Sequence, residues 1–439
     1  MNDKKQIFGW AMYDWANSAF MTTVSVAVLP ILFADIIVGQ EGLTIGERVF
    51  SASSLWAFMI GLVALAIFLI APVLGSIADY SASKKKFLFV FCYGGSLSTI
   101  LLMFCGQGDV WLTMILFSLA QIGFVGGNVF YDAFLPQIAT EDKLDWVSGK
   151  GYAYGYIGGG LQFALSLAII GGHNVLGISE IAAARIAIVT AGLWWAGFAT
   201  VTFLYLKEGD AQKGASVISV HPLSIFSSVS IGMRRTLQTA QKVRMFKHLF
   251  IFLIAYMIYN DGIQTVIDMA TIYGRQELCL SSKDLLQTLL IIQVIAVFGA
   301  LFFGWLGEKI TTKKALMIAL ILWSFVVIYA YQMTTAGEYY FLGVIVGVTL
   351  GGSQALSRSL YGSMIPPQAS AEFFGFYSVF SKFSAIWGPF VFGLINTISG
   401  SSRQAIVSLI VFFILGMVLL SCVDVKKAKE AKTSLLFHE

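Results

Sequence analysis

The chain has 439 residues, of which 57% are hydrophobic and only 12% charged, with a net charge of +4. A water-soluble domain carries roughly 25% charged residues, so an assembly of soluble domains is excluded. Apolar runs of about 20 residues, each long enough to cross a bilayer as a helix, recur from end to end and make this a multi-pass membrane protein.

The first run, expected at 9–35, contains "FGWAMYDWANSAFMTTV" (8–24), where Asp14 and Asn17 interrupt an otherwise apolar and aromatic segment. It is too long for a cleavable leader and carries a carboxylate, so it reads as a spanning helix. Further spans are expected at 55–78, 87–106, 111–137, 150–171 and 181–206. A polar connection, 207–247, follows, and its mixed basic and apolar stretch suits either an amphipathic helix on an anionic leaflet or a plain linker. Spans at 248–274, 285–307, 315–333, 339–365, 372–397 and 403–422 complete the set, and a short basic tail ends the chain. The organisation is therefore an N-terminal bundle (1–206), a connection (207–247) and a C-terminal bundle with tail (248–439). Lysine and arginine crowd one side of these spans, while the other side holds only Arg48, Arg185, Arg275, Lys283 and Arg403. The positive-inside rule then places both termini and the connection in the cytoplasm, in the cell's plasma (inner) membrane.

An internal duplication is the most informative pattern. "GSIADYSASKKK" (75–86) follows the second span and "GWLGEKITTKKA" (304–315) the eighth. Gly75 and Gly304 lead; Asp79 and Glu308 stand four residues on; Lys84 and Lys85, or Lys313 and Lys314, come five and six residues after the acid. Matching positions in two halves are a mark of transporters built from repeats. Glycine permits close helix packing. The acid can accept hydrogen bonds from a neighbouring helix N-terminus or from the lysines, which makes each copy a candidate latch on the cytoplasmic side.

The duplicated turn and the six-plus-six layout resemble the major facilitator superfamily. Within it, "YDWANSAF" (13–20), "VFYDAFLP" (129–136), "GYIGGGL" (155–161), "YNDGIQTV" (259–266), "GGSQALSRSLYGSMIP" (351–366) and "FFGFYSVFSKF" (373–383) are similar to the vacuole-effluxer-like, autophagy-related amino-acid effluxer family and its bacterial relatives. The resemblance spans both halves. It implies an all-α membrane fold of twelve helices in two pseudo-symmetric six-helix bundles, with the first, fourth, seventh and tenth helices lining a central cavity. It also implies amino-acid export and, as the superfamily default, a monomer.

Polar residues within spanning helices are costly and so point to function. In the first span Asp14 and Asn17 share a stripe with Met21. In the fourth, Gln121, Asn128 and Asp132 share one. The seventh carries Asn260, Asp261, Gln264 and Asp268; the tenth, Gln354 and Arg358; the eleventh, Lys382. At about 1.5 Å per residue these acids and cations reach comparable depths, so a pairing of Asp14 or Asp132 with Arg358 or Lys382 is expected to close the cytoplasmic side. Acids and cations together suit a zwitterionic, amino-acid-like solute, and a proton or sodium gradient is the expected drive. Nothing in the sequence calls for a cofactor. There is no phosphate-loop sequence. The histidines (His173, His221, His248, His438) lie in loops or at span ends without metal spacing, and the cysteines (Cys92, Cys105, Cys279, Cys422) show no paired spacing. No catalytic site, resident metal or nucleic-acid partner is expected; the partners are the lipid bilayer and a small-molecule substrate. An amphiphilic solute such as a lipid or siderophore-like molecule is the alternative cargo. A non-transporting sensor or scaffold is the alternative class.

Overall fold

Among the residues described by the computed structural model (1–39, 41–208 and 246–435, excepting the side chains of 282, 283 and 433–435), twelve helices are long and apolar enough to cross a membrane. In the N-terminal half they are Lys4–Val38, Ala52–Tyr80, Lys84–Phe104, Val110–Ile138, Leu144–Gly171 and Glu180–Tyr205. In the C-terminal half they are Lys247–Leu278, Asp284–Ile310, Thr312–Gln332, Ala336–Met364, Pro367–Ser399 and Ser402–Ser421. The expected amphipathic helix of the connection falls in 209–245, outside the described residues.

Local chemistry sets the helix ends. Ser51 and Ser179 cap the second and sixth spans by accepting N–H bonds from Ser54 and Ala182. Capping boxes, Ser281 with Asp284 and Thr335 with Glu338, start the eighth and tenth. The fifth span begins at Leu144 rather than the expected 150. Asp145 and Ser148 lower the hydropathy of its first turns, yet both are buried against the other half. Large apolar side chains such as Phe58, Leu69, Val90, Phe298 and Phe390 stay exposed on the outside of the bundle, where a bilayer covers them. Trp10, Trp195 and Trp323 fill the interior.

The first and eleventh spans are irregular. The first passes through π-helical turns at Phe20–Val28 and Phe33–Val38, either side of Pro30, and such turns recur at functional sites. The eleventh is broken: it runs Ser370–Phe383, pauses, and resumes as Trp387–Ser399.

The even spacing of spans puts Asn2, the loop around Glu141, the lysine-rich turns and a last helix, Val425–Leu435, on one face. We call it the basic face and its opposite the distal face. On the distal face a small antiparallel hairpin pairs Leu43–Ile45 with Arg48–Phe50.

Candidate functional site: a cavity closed at the basic face

The two halves meet through matched glycines. Gly75 packs on the backbone of Ala371, and a Cβ on Gly375 would come within 2.8 Å of the Pro72 Cα, so the second and eleventh spans touch backbone to backbone. A Cβ on Gly304 would approach the Asp145 carbonyl to 2.9 Å, and one on Gly149 the Ala300 carbonyl to 2.5 Å, joining the eighth and fifth spans in the same way. Only glycine permits this approach.

These contacts place the duplicated acids at the opposite half. Asp79 accepts the backbone N–H groups of Ala371 (3.3 Å) and Glu372 (2.8 Å), at the start of the Ser370–Phe383 segment, and pairs with Lys84 at 2.7 Å. Lys84 also donates to Ser370 Oγ at 2.9 Å. In the second copy Glu308 pairs across the halves with Lys143 at 3.2 Å. Not all the expected lysines join their acid. Lys85 meets Glu208 through its backbone N–H, and Lys313 donates to the carbonyls of Ser421 and Val423. Lys314 is exposed, with no side-chain bond among the described residues. Beside Glu308, Asp145 accepts from Thr312 Oγ1 at 2.7 Å and from the Ser359 hydroxyl, a cross-half bond hidden from sequence reading by the displaced helix start.

Above this closed end lies a cavity of about 470 Å³. Of the expected residues, Asp14, Asn17, Asn128, Asp132, Gln264, Gln354, Arg358 and Lys382 border it. Its floor is built around Arg358, which is 1% exposed. Nη1 donates to Asp132 Oδ1 at 3.0 Å and to Asp14 Oδ2 at 3.3 Å, while Nε and Nη2 donate to the hydroxyl and carbonyl oxygens of Ser148 at 3.0 and 2.8 Å. Tyr152, Trp10 and Tyr131 rings lie 4.0, 4.9 and 5.4 Å from the guanidinium carbon, a cation–π cradle for a buried charge. Tyr131 donates its hydroxyl to Asp14 at 2.7 Å, and Asn17 bonds Asn128 at 2.7 Å. Arginine from the C-terminal half is thus clamped by carboxylates and a serine from the N-terminal half. Ser148, Tyr131 and Trp10 escaped the sequence reading, because aromatic and hydroxyl residues are too common in such helices to stand out.

Three expected pathway residues lie off the cavity wall. Asp261 is 2% exposed and accepts the backbone N–H groups of Trp387 (3.0 Å) and Gly388 (2.8 Å), capping the second piece of the eleventh span. Asn260 donates to Ser384 Oγ at 2.5 Å in the same joint. Asp268 is exposed on the seventh span, away from the cavity-lining set. Helical spacing places a residue on a face; it does not identify which neighbour that face meets. Lys382 borders the cavity but pairs with neither Asp14 nor Asp132; Arg358 holds both.

At the basic face the last helix ties the halves again: Lys429 and Lys432 pair with Glu141 at 3.0 and 2.8 Å, and Lys432 donates to the Ser363 carbonyl at 3.3 Å. Partial burial pushes the Glu141 carboxyl up, but bonds and charge from the two lysines outweigh it and hold the group below the usual glutamate range. Across the halves the described hydrogen bonds reach from this face to mid-depth, ending at Tyr156–Gln354 (2.6 Å) and Gln293–Thr22 (3.4 Å). Two distal arginines bond within their own halves, Arg185 to the Cys105 carbonyl and Arg403 to Glu277.

The profile of the family described as "Vacuole effluxer Atg22 like" matches residues 2–433. The chain is 35% identical over 425 residues to the MFS-type transporter YxiO of Bacillus subtilis, covering 95% of each chain. It is 24% identical over 501 residues to autophagy-related protein 22 of Saccharomyces cerevisiae, covering 98% of this chain and 94% of that one. Among solved structures, the human organic anion transporter MFSD10 superposes with a TM-score of 0.66 at 14% identity, over 95% of this chain and 98% of the other. This likeness is one of fold.

Proposed function

We propose, from the premise that this chain belongs to the vacuole effluxer Atg22-like family and is a multi-pass membrane transporter of the major facilitator superfamily rather than an enzyme, that it carries a small amino-acid-like or zwitterionic solute by alternating access. The observation that carries this reading is the Arg358 clamp: a C-half cation held by N-half acids at the closed end of a cavity between the halves. Breaking the clamp strands buried charge, so it opens when another charge takes a partner's place.

One guanidinium faces two carboxylates, which leaves one negative charge for a proton or a substrate ammonium to balance. This supports coupling to a proton gradient, with sodium as the other candidate ion. The lysine-rich face supports a cytoplasmic location for the termini and the plasma membrane as the site, and the closed end would then be cytoplasmic. The family's description as effluxers supports export. The residues of the two duplicated turns that dock on the opposite half, Asp79 with Lys84 and Glu308 with Lys143, act in this reading as latches of the same state.

The largely aromatic and aliphatic cavity wall, with Tyr256, Tyr377 and Phe374 among its residues, favours a second reading in which the cargo is amphiphilic. Proteoliposomes loaded with labelled amino acids test both, with and without an imposed pH gradient. Asp14→Asn and Asp132→Asn are expected to retain exchange but to lose gradient-driven accumulation by about tenfold. Gradient-driven accumulation at the wild-type level in both variants would contradict proton coupling at the clamp.

A further inference from the structure

Four charged residues border the cavity, Asp14, Asp132, Arg358 and Lys382. The first three are engaged with one another. Arg358 spends its donors on Asp14, Asp132 and two Ser148 oxygens, which leaves little with which to seize a solute while the basic face is closed. Lys382 differs. It is half-buried on the cavity wall and has no ion pair or hydrogen bond among the described residues. Ser378, one turn earlier, and Ser381 border the cavity with it, and Gln264 comes from the seventh span.

The position is braced. Lys382 stands two residues before Ser384, where the eleventh span breaks. Asn260 holds Ser384 at 2.5 Å, and Asp261 holds the N–H groups of Trp387 and Gly388. A Cβ on Gly388 would sit 2.7 Å from Asp261 Oδ1 and against Thr265 Oγ1, so the joint is fitted to glycine. Discontinuous helices of this kind build substrate sites in secondary transporters. An ammonium with no direct partner in a mainly apolar cavity is costly.

We propose that Lys382, assisted by Ser378 and Ser381, is the subsite for an anionic group of the transported solute, a carboxylate on an apolar or aromatic body, while Arg358 is reserved for the clamp. One ammonium with neighbouring hydroxyls matches a monoanion rather than a phosphate dianion, and Tyr256 and Tyr377, stacked at 4.4 Å, offer a ring surface for the organic body. This subsite rests on the carrier reading above.

Binding of three probes to the purified full-length chain tests it: 3-phenylpropionate, 2-phenylethylamine and phenylalanine, followed by calorimetry and thermal shift. Wild type is expected to bind 3-phenylpropionate and phenylalanine in preference to the amine. Lys382→Gln is expected to weaken both carboxylates by about tenfold or more, and Lys382→Arg to keep them. Without ligand, Lys382→Gln is expected to melt no lower than wild type, since it removes an unpaired charge rather than a brace. Carboxylate binding unchanged in Lys382→Gln, preference for the amine, no binding of any probe, or a destabilised Lys382→Gln would each overturn the assignment. Cysteine labelling from the distal side, compared between wild type and Arg358→Ala, separates the two readings. If labelling responds but carboxylates ignore Lys382, the subsite fails and the carrier stands. If labelling does not respond, the carrier reading itself fails.

Discussion

Arg358 gathers the charged contacts at the closed end of the cavity into one side chain. Lysine could supply its charge but neither the forked donors that reach Asp132, Asp14 and Ser148 nor the planar face stacked under Tyr152. Arg358→Ala is expected to lower the stability of the closed state by about 3–5 kcal/mol, the range for removing one partner of a buried ion pair, and Arg358→Lys by less. Thermal unfolding of the two variants in one detergent checks the order; equal melting temperatures for both variants and wild type would count against the clamp. The sequence offered a pairing of Asp14 or Asp132 with Arg358 or Lys382, because charges in membrane helices at similar depth need each other, but it did not choose Arg358 over Lys382 or give it both acids. The place of Asp261 was not. Its spacing suited a cavity face, but the break in the eleventh span supplies unsatisfied N–H groups that only a tertiary neighbour can meet.

At the level of elements, the glycine contacts set which helices meet backbone to backbone. Gly304→Val puts a branched side chain where even a Cβ would lie 2.9 Å from the Asp145 carbonyl, so it should prise the fifth and eighth spans apart and favour opening at the basic face. Alkylation of a cysteine placed at Ser148 is the readout, with faster labelling expected in Gly304→Val than in a Gly304-intact control. The last helix makes a separate, pH-readable contact. Its two lysines depress the Glu141 carboxyl, so this contact contributes stability above the unfolded glutamate range and loses it as pH falls through the lowered folded value. Protease protection of the Val425–Leu435 helix should therefore persist from neutral pH down through the ordinary glutamate range and be lost only in more acidic solution. In Glu141→Gln, protection should be weak throughout. Helix number and order could be read from hydropathy alone, since twelve apolar runs have few other homes. The start of the fifth span could not, because Asp145 and Ser148 look like loop residues until the opposing half supplies Thr312, Ser359 and Arg358 as partners.

For the whole molecule, the duplicated turns were the strongest sign of two equivalent halves. Their structural counterpart is the pairing of Gly75 with the eleventh span and Gly304 with the fifth. Cross-half bonds gathered from the basic face to mid-depth, with a cavity beyond them, are what the proposed carrier requires at one end of a rocking motion. Spin labels at Val175 and Gln332 report the distal separation of the halves, and labels at Lys86 and Lys314 the separation at the basic face; all four positions are exposed. Pulsed-dipolar distances on both pairs, in wild type and in Arg358→Ala, test the rocking most directly. The distal distance should shorten while the basic-face distance lengthens when the clamp is removed. Distances that stay fixed, or that change in the same direction at both faces, would contradict an alternating-access carrier gated by Arg358.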